Sequence, residues 1–336
     1  MIRVNAVQPE SLGEELGLAV GTELLSVNGR PLEDFLDWEF LTAEDAFTLH
    51  VRQPDGEEIE FDIERPEGLP MGLGLEPPRI RRCANRCDFC FVDGLPTGLR
   101  DTLYIRDDDY RLSFRYGNFA TLTNLKPRDV DRIIEYRLSP LYVSVHATDP
   151  TVRRWLLRNP TAPDILDQLR GFATHGIQFH TQIVMSPGVN DGAVLEQSLN
   201  DLYAFGDAVL SVSVVPVGLT EFSKHHLVRE PTAAECRAAI ALVEERSAIA
   251  LAERGSHWAF GADEEVSEDK VKGTGLLRKD FLADGPAPEA LEAALAGAFC
   301  TWRTKVPSDT GPRVPRLDLG MARELLERLV RENDPQ

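Results

Sequence analysis

The hydrophobic rhythm of the chain changes once, near position 70. Up to about Arg65 the apolar residues fall in short runs: IRVNAV, TELLSVNG, FTLHVRQP and EEIEFDIER. Such short runs predict strands, and Asp55-Gly56 between the last two favours the positive backbone angles of a tight hairpin. Between the first two lies ESLGEELGLAVG, in which Ser11 can cap a short helix and Gly17 can end it. Beyond position 80 strand and helix patterns alternate. LSFRYGNFATLTNL, LYVSVHA, FHTQIVM, VLSVSVVPV and HWAFGAD read as strands. PRDVDRIIEYRL, TVRRWLL continued by APDILDQLRGFATHG, AVLEQSLNDLYAFG and TAAECRAAIALVEERSAIALAERG read as helices. Repeated βα units of this length predict a parallel sheet, open or partly closed as a barrel, with its site at the strand carboxyl ends.

Residues 66–80, PEGLPMGLGLEPPRI, break both rhythms with four prolines and three glycines. The expected organisation is therefore a β-rich unit over 1–65, a connector over 66–80, a βα domain over 81–265 and a divergent region over 266–336. In the last, AFCTWRTKVPSDTGPRVPRLDLG has little periodicity and MARELLERLVREN reads as an amphipathic helix. With 336 residues, 43% of them hydrophobic, the chain can bury two cores without staples. Its net charge of -19 argues against a nucleic-acid backbone or an anionic membrane as docking surface. The opening MIRVNAVQPE has no basic start or apolar run, and no stretch of about 18 apolar residues follows; the expectation is a cytoplasmic protein without a signal peptide or membrane span.

Five cysteines, an odd number, make a disulfide framework a poor reading in a reducing compartment. Three of them, Cys83, Cys87 and Cys90, fall within CANRCDFCF, whereas Cys236 and Cys300 lie far away. A structural zinc site needs four ligands, and nothing nearby supplies the fourth. An iron–sulfur cubane held by three thiolates leaves one iron open to a small chelating ligand. Zinc and plain buried thiols remain the alternatives at this point. RDDDYR, residues 106–111, could bind a metal or a cationic substrate, or form a solvated ion-pair turn; Asp108 and Arg111 are expected near the substrate mouth.

C-x3-C-x2-C ahead of a βα series resembles the radical-SAM signature. Longer stretches, CANRCDFCFVDGLPTGLRDTLYIRDDDYRLSFRYGNFATLTNL (83–125), RLSPLYVSVHATDP (137–150), QIVMSPGVNDG (182–192) and SVVPVGLT (213–220), resemble the PDZ-fused radical-SAM-like proteins of domain-of-unknown-function family 512, over residues 1 to about 265. SLGEELGLAVGTELLSVNGRPL (11–32) resembles a PDZ domain of the bacterial kind. The resemblance implies an α/β fold: a partial (βα) barrel of the radical-SAM type with an N-terminal β-rich PDZ-like domain. It also implies a [4Fe-4S] cluster on Cys83, Cys87 and Cys90, with S-adenosyl-L-methionine on the open iron and reductively cleaved to an adenosyl radical.

Further roles follow from the same resemblance. Phe89 matches an aromatic packed beside the adenine, and Gly117-Asn118 falls near a strand end that holds the methionine amino group, although the usual Gly-Gly-Glu is absent. Ser144 and His146 alternate along their strand and so share a face, where His146 either meets ribose or carboxylate or is a core histidine. His180 and Gln182 show the same alternation, and Pro216 and Gly218 end a strand where backbone groups can meet an adenine edge. The short segment after Cys90 implies an incomplete barrel. Implied partners are a peptide or protein C-terminus at the PDZ-like domain, unless that domain is an internal lid, and an electron donor such as flavodoxin or ferredoxin. No substrate is implied. Two classes stay open: a radical-SAM enzyme, or an iron–sulfur scaffold or electron relay that cleaves no cofactor.

Overall fold

Alternation in the first part of the chain becomes an antiparallel sheet. The computed structural model describes residues 2–223 and 227–261. In it β1 (Ile2–Val7), β2 (Glu23–Val27), β3 (Arg30–Pro31), β4 (Ala46–Arg52), β5 (Glu58–Glu64) and β6 (Leu73–Leu75) pair in the order β5-β4-β2-β1-β6, with β3 beside β2. Asn28 and Gly29 both have positive φ, 50° and 74°, which turns β2 tightly into β3. Helix α1 (Leu12–Glu15) is capped by the Ser11 hydroxyl, which accepts from the Glu14 amide. Leu24, Val27, Leu49 and Val51 form the centre of this unit's core.

The Pro/Gly-rich stretch 66–80 does more than connect. It folds back so that Gly13 N–H donates to the Met71 carbonyl and Gln8 N–H to that of Gly72, each at 2.8 Å, and its Leu73–Leu75 becomes an edge strand on β1. Gly72 has φ +71°, and a Cβ there would stand 2.2 Å from that of Ser11. Only glycine lets the chain approach α1 so closely.

The remaining elements are α2 (Phe35–Leu41), α3 (Tyr110–Tyr116), α4 (Pro127–Glu135), β7 (Leu141–Ser144), α5 (Pro150–Leu157), α6 (Ile165–Ala173), β8 (Phe179–Met185), α7 (Gly192–Tyr203), β9 (Val209–Pro216), α8 (Ala233–Arg254) and β10 (Ala259–Gly261). Strands β7 to β10 form one parallel sheet in sequential order, and a single parallel bridge, Ala120 to Val143, extends it beyond β7. Phe179, Thr181, Ile183 and Met185 of β8 are buried, while His180, Gln182 and Val184 on its other face are half-exposed. One face of the sheet thus carries the core and the other is partly open. Among the described residues no helix is long and apolar enough to cross a membrane.

Two expectations are corrected. LSFRYGNFATLTNL contains no strand longer than that bridge, because Asp109 caps α3 by accepting from the Arg111 amide and Gly117, at φ +75°, ends it in the left-handed conformation. Gly117-Asn118 therefore follows a helix, not a strand. Arg111 and Asp108 are buried, not at an open mouth. Arg111 holds Asp34, the N-cap of α2, at 2.7 Å and its own neighbour Asp109 at 2.6 Å. Arg132 of α4 also holds Asp34, and reaches Asp37 at 2.8 Å. Phe40 of α2 stacks on Tyr136 with ring centroids 4.0 Å apart, and Leu36 enters the core of the βα region. Helix α2 is thus pinned to α3 and α4 by buried charges that neutralise one another.

Candidate functional site

The loop 83–94 lies over the carboxyl ends of the parallel strands, and each of its anchors is a specific contact. Cys83 N–H donates to the Arg106 carbonyl at 2.8 Å, and Asp108 N–H to that of Arg81 at 3.0 Å, so that 81–83 and 106–108 run as a short antiparallel pair. Arg86 N–H donates to the Leu157 carbonyl at the end of α5, and Arg158 pairs with Asp88 at 2.7 Å. Thr220, in the loop after β9, donates its hydroxyl to the Gly94 carbonyl. Phe89 meets the His146 ring edge-on with centroids 5.0 Å apart, just past β7.

Cys83, Cys87 and Cys90 are all half-buried on this loop. Burial and then the neighbouring Cys83 and Cys90 push the Cys87 thiol up to about 12. Burial and then Asp108 also raise Cys83. Among the described residues no three His, Cys, Asp or Glu side chains converge on one metal-ion position. Around a single zinc, thiolate sulfurs stand about 3.8 Å apart; a cubane spreads its thiolates over separate irons and needs no such convergence. Cys236 is buried in α8, away from the loop in sequence and element, and Cys300 lies outside the described residues.

Beneath the loop is a polar layer that spacing alone did not reveal. Asp108 accepts from the Thr121 amide at 2.5 Å and hydroxyl at 2.6 Å and from the Thr123 hydroxyl at 3.2 Å, yet burial still pushes its carboxyl up. Asn85 donates to the Thr121 hydroxyl at 2.8 Å and accepts from Thr123 and Asn159. Arg153, 1% exposed, donates to the carbonyls of Val145 at 3.1 Å and Thr121 at 2.8 Å. Burial lowers it to about 10, which leaves it charged at neutral pH. Asp108, expected near the substrate mouth, is buried in this layer, and no periodicity marks Asn85 and Arg153, which meet it only through the fold.

His146 adopts φ 62°, an uncommon left-handed conformation for a non-glycine. Asn190 holds it there, donating to its carbonyl at 2.7 Å and to that of Val184 at 2.9 Å. Val184 N–H donates to His146 Nδ1 at 3.3 Å, which places the ring proton on Nε2, and burial lowers the ring to about 3. His146 is therefore a neutral side chain beside Phe89. Ser144 is buried at the end of β7, and the carbonyl of Gln182 accepts from the amides of Val145 and His146. His180 stacks on Tyr142 at 4.8 Å and bonds the Ser211 hydroxyl at 2.7 Å, lower on the same open face. Gly117 also lies against the Tyr142 ring, and Asn118 donates to Asp107 at 3.1 Å. Pro216 ends β9, and Gly218 begins the loop that reaches Gly94 through Thr220. The structure thus gathers Phe89, His146 and the three cysteines, with Gly218 on an adjoining loop, and leaves Gly117 and Asn118 at the end of α3.

No curated protein matches the chain. Similar solved structures include a domain of pyruvate-formate lyase-activating enzyme from Bacteroides vulgatus, at 18% identity and TM-score 0.31 over 42% of this chain and 77% of that one. Others are SuiB from Streptococcus suis bound to S-adenosylmethionine, at 13% identity and TM-score 0.34 over 54% of this chain and 44% of that one, and a radical SAM methyltransferase from Sphaerobacter thermophilus, at 16% identity and TM-score 0.32 over 77% and 84%. Residues 65–212, which contain the thiol loop and the polar layer beneath it, match the family model described as a Radical SAM-like domain.

Proposed function

We propose that the chain is a radical-SAM enzyme in which Cys83, Cys87 and Cys90 hold a [4Fe-4S] cluster and S-adenosyl-L-methionine occupies the remaining iron. The observation that carries this reading is three half-buried thiols on one loop, spaced C-x3-C-x2-C, inside the span that matches a Radical SAM-like domain. The donor set fits the group. Cys83 and Cys87, raised by burial, stay protonated until a cationic core replaces their protons; Arg106 stands in the field of all three thiols and Arg153 in that of Cys87. When bound, the cluster supplies one electron to the sulfonium of S-adenosylmethionine and so yields an adenosyl radical.

The chain's own residues then bind and orient. Phe89 and the neutral His146 form one wall beside the loop, and His146 has its Nε2 proton to donate to a ribose or carboxylate oxygen. The half-exposed face with Gln182, and the segment from Pro216 to Gly218, face the same carboxyl ends, where a partial barrel would enclose the ligand. Asn190 keeps His146 in its left-handed conformation, so the ring orientation is set before any ligand arrives.

The β-rich unit over 1–65, read as PDZ-like, would take a peptide or protein C-terminus or serve as an internal lid. An electron donor such as flavodoxin or ferredoxin and a cytoplasmic setting complete the reading. The test is anaerobic reconstitution of the full chain with iron and sulfide, followed by reduction with S-adenosylmethionine present. Formation of 5′-deoxyadenosine is expected. A filled, reducible cluster that yields none would instead support the scaffold or electron-relay class.

A further inference from the structure

Arg106 occupies a position that no role above uses. Its backbone carbonyl accepts from Cys83 N–H at 2.8 Å, before the first thiol of the loop is passed. Its side chain then spans the loop. One terminal nitrogen donates to the Asn85 carbonyl, and the other stands 3.6 Å from the Asp93 carboxylate. These two anchors bracket Cys87 and Cys90, and the first lies two residues past Cys83. Nε is buried and has no hydrogen-bond partner among the described residues. An unpaired Nε is not distinctive by itself, since Arg65 and Arg132 each have one. What sets Arg106 apart is its company. Arg132 holds the carboxylates of Asp34 and Asp37 within 2.8 Å, whereas Arg106 has a single carboxylate, farther away, and all three thiols in its field.

A guanidinium in that place has a definite consequence. Three thiolates on a doubly positive [4Fe-4S] core leave the assembly singly negative, and one electron from an external one-electron reductant makes it doubly negative. A nearby fixed cation stabilises the second state more than the first, and an N–H able to reach sulfur acts in the same direction. We propose that Arg106 sets the reduction potential at the thiol loop, its guanidinium offsetting the charge of the added electron while its two anchors hold the loop in shape. This rests on the cluster reading above. Arg106 is a positioning residue, since it acts through the loop and its field.

The experiment is a redox titration of the anaerobically reconstituted full chain, followed by electron paramagnetic resonance, with iron and sulfide measured on the same samples. Arg106→Gln is expected to retain the iron content of the unaltered chain and to lower the equilibrium constant for one-electron reduction at least tenfold, a shift of 59 mV for a one-electron couple. Arg106→Lys, which keeps the charge, shifts it by less than half as much. Asp93→Asn, which removes the opposing carboxylate, moves the potential the other way. A filled Arg106→Gln protein with an unmoved potential overturns the inference and leaves the cluster reading intact. If Arg106→Gln does not fill, Asp93→Asn decides: an upward shift supports the inference, and no shift or a downward one overturns it. An unaltered chain that binds no iron and sulfide overturns both readings.

Discussion

Arg111 and Arg132 each hold two carboxylates, whereas Arg106 holds one and otherwise, like Arg153, meets backbone carbonyls and the field of the thiols. At the first pair, where α2 meets α3 and α4, Asp34 and Asp37 cancel the guanidinium charge at distances of 2.5 to 2.8 Å. Burial alone would push the Asp34 carboxyl up, but hydrogen bonds from Arg132 and Arg111 outweigh it and hold the group at about 2. At the second pair carboxylates are fewer, and burial raises the Cys83 and Cys87 thiols, which keeps them protonated at neutral pH. Both regions contain positive charge away from solvent, yet in the first each guanidinium has two carboxylates within 2.8 Å, while in the second Arg106 has one, at 3.6 Å. The difference separates a charge network that fixes a docking face from one arranged around groups that have still to lose their protons.

The largest expected effect breaks the first region. Asp34→Ala leaves Arg111 with Asp109 alone and Arg132 with Asp37 alone, removes the N-cap of α2, and should cost about 3 kcal/mol of folding stability in urea titrations. A loss below about 1 kcal/mol would show that Asp37 and Asp109 suffice to balance the two arginines.

Acidification should separate the regions by pH. Asp34 binds its proton less readily in the folded chain than in the unfolded one, so its contribution is complete above its ordinary value of 3.8 and is lost as pH falls towards about 2. That loss is about 2–3 kcal/mol and should be missing from Asp34→Asn. His146 is likewise depressed, from 6.5 to about 3, by burial and then by Arg153. The unfolded chain therefore gains its proton first, and stability begins to fall below pH 6.5, well before Asp34 responds. His146→Gln should shrink the decline between about pH 6 and 4.5, leaving the part due to His180, which burial also lowers, and should not alter the lower one. An unchanged decline in that variant would mean that the ring is not buried as described.

The smallest effect on folding is expected at the thiol loop. Cys87→Ser should change the stability of the metal-free chain by about 1 kcal/mol or less, because the loop is fixed by Arg86, Asp88 and Gly94 and not by its thiols. Iron retention should nevertheless collapse in that variant, while Cys236→Ala should retain iron fully.

Much of the fold could be read from periodicity, and the reasons for the failures are local. FHTQIVM corresponds residue for residue to β8, since alternation on a sheet with one buried face is the clearest pattern a strand can have. LSFRYGN misled because its aromatics favour strands, while the decisive features were its ends: Asp109 as cap and Gly117 as stop. EDFLDWEFL hid α2, although Asp34 and Asp37 form a reciprocal cap three residues apart. At the site, spacing puts three cysteines and Phe89 on one short segment, and the fold keeps that segment as a loop with Phe89 against His146. Arg106 and Arg111 stood in the same charged run, and nothing in RDDDYR says that one turns to the thiols and the other to Asp34. That division depends on which face of the chain each meets after folding, and a one-dimensional pattern carries no trace of it.

The central claim is that the thiol loop holds a cluster with one iron open to S-adenosylmethionine, and the electron paramagnetic resonance spectrum of the reduced, reconstituted protein tests it most directly. About four irons and four sulfides per chain are expected, with a spectrum that changes when S-adenosylmethionine is added. Stoichiometric zinc without sulfide, or a filled cluster whose spectrum is indifferent to S-adenosylmethionine, would contradict the account.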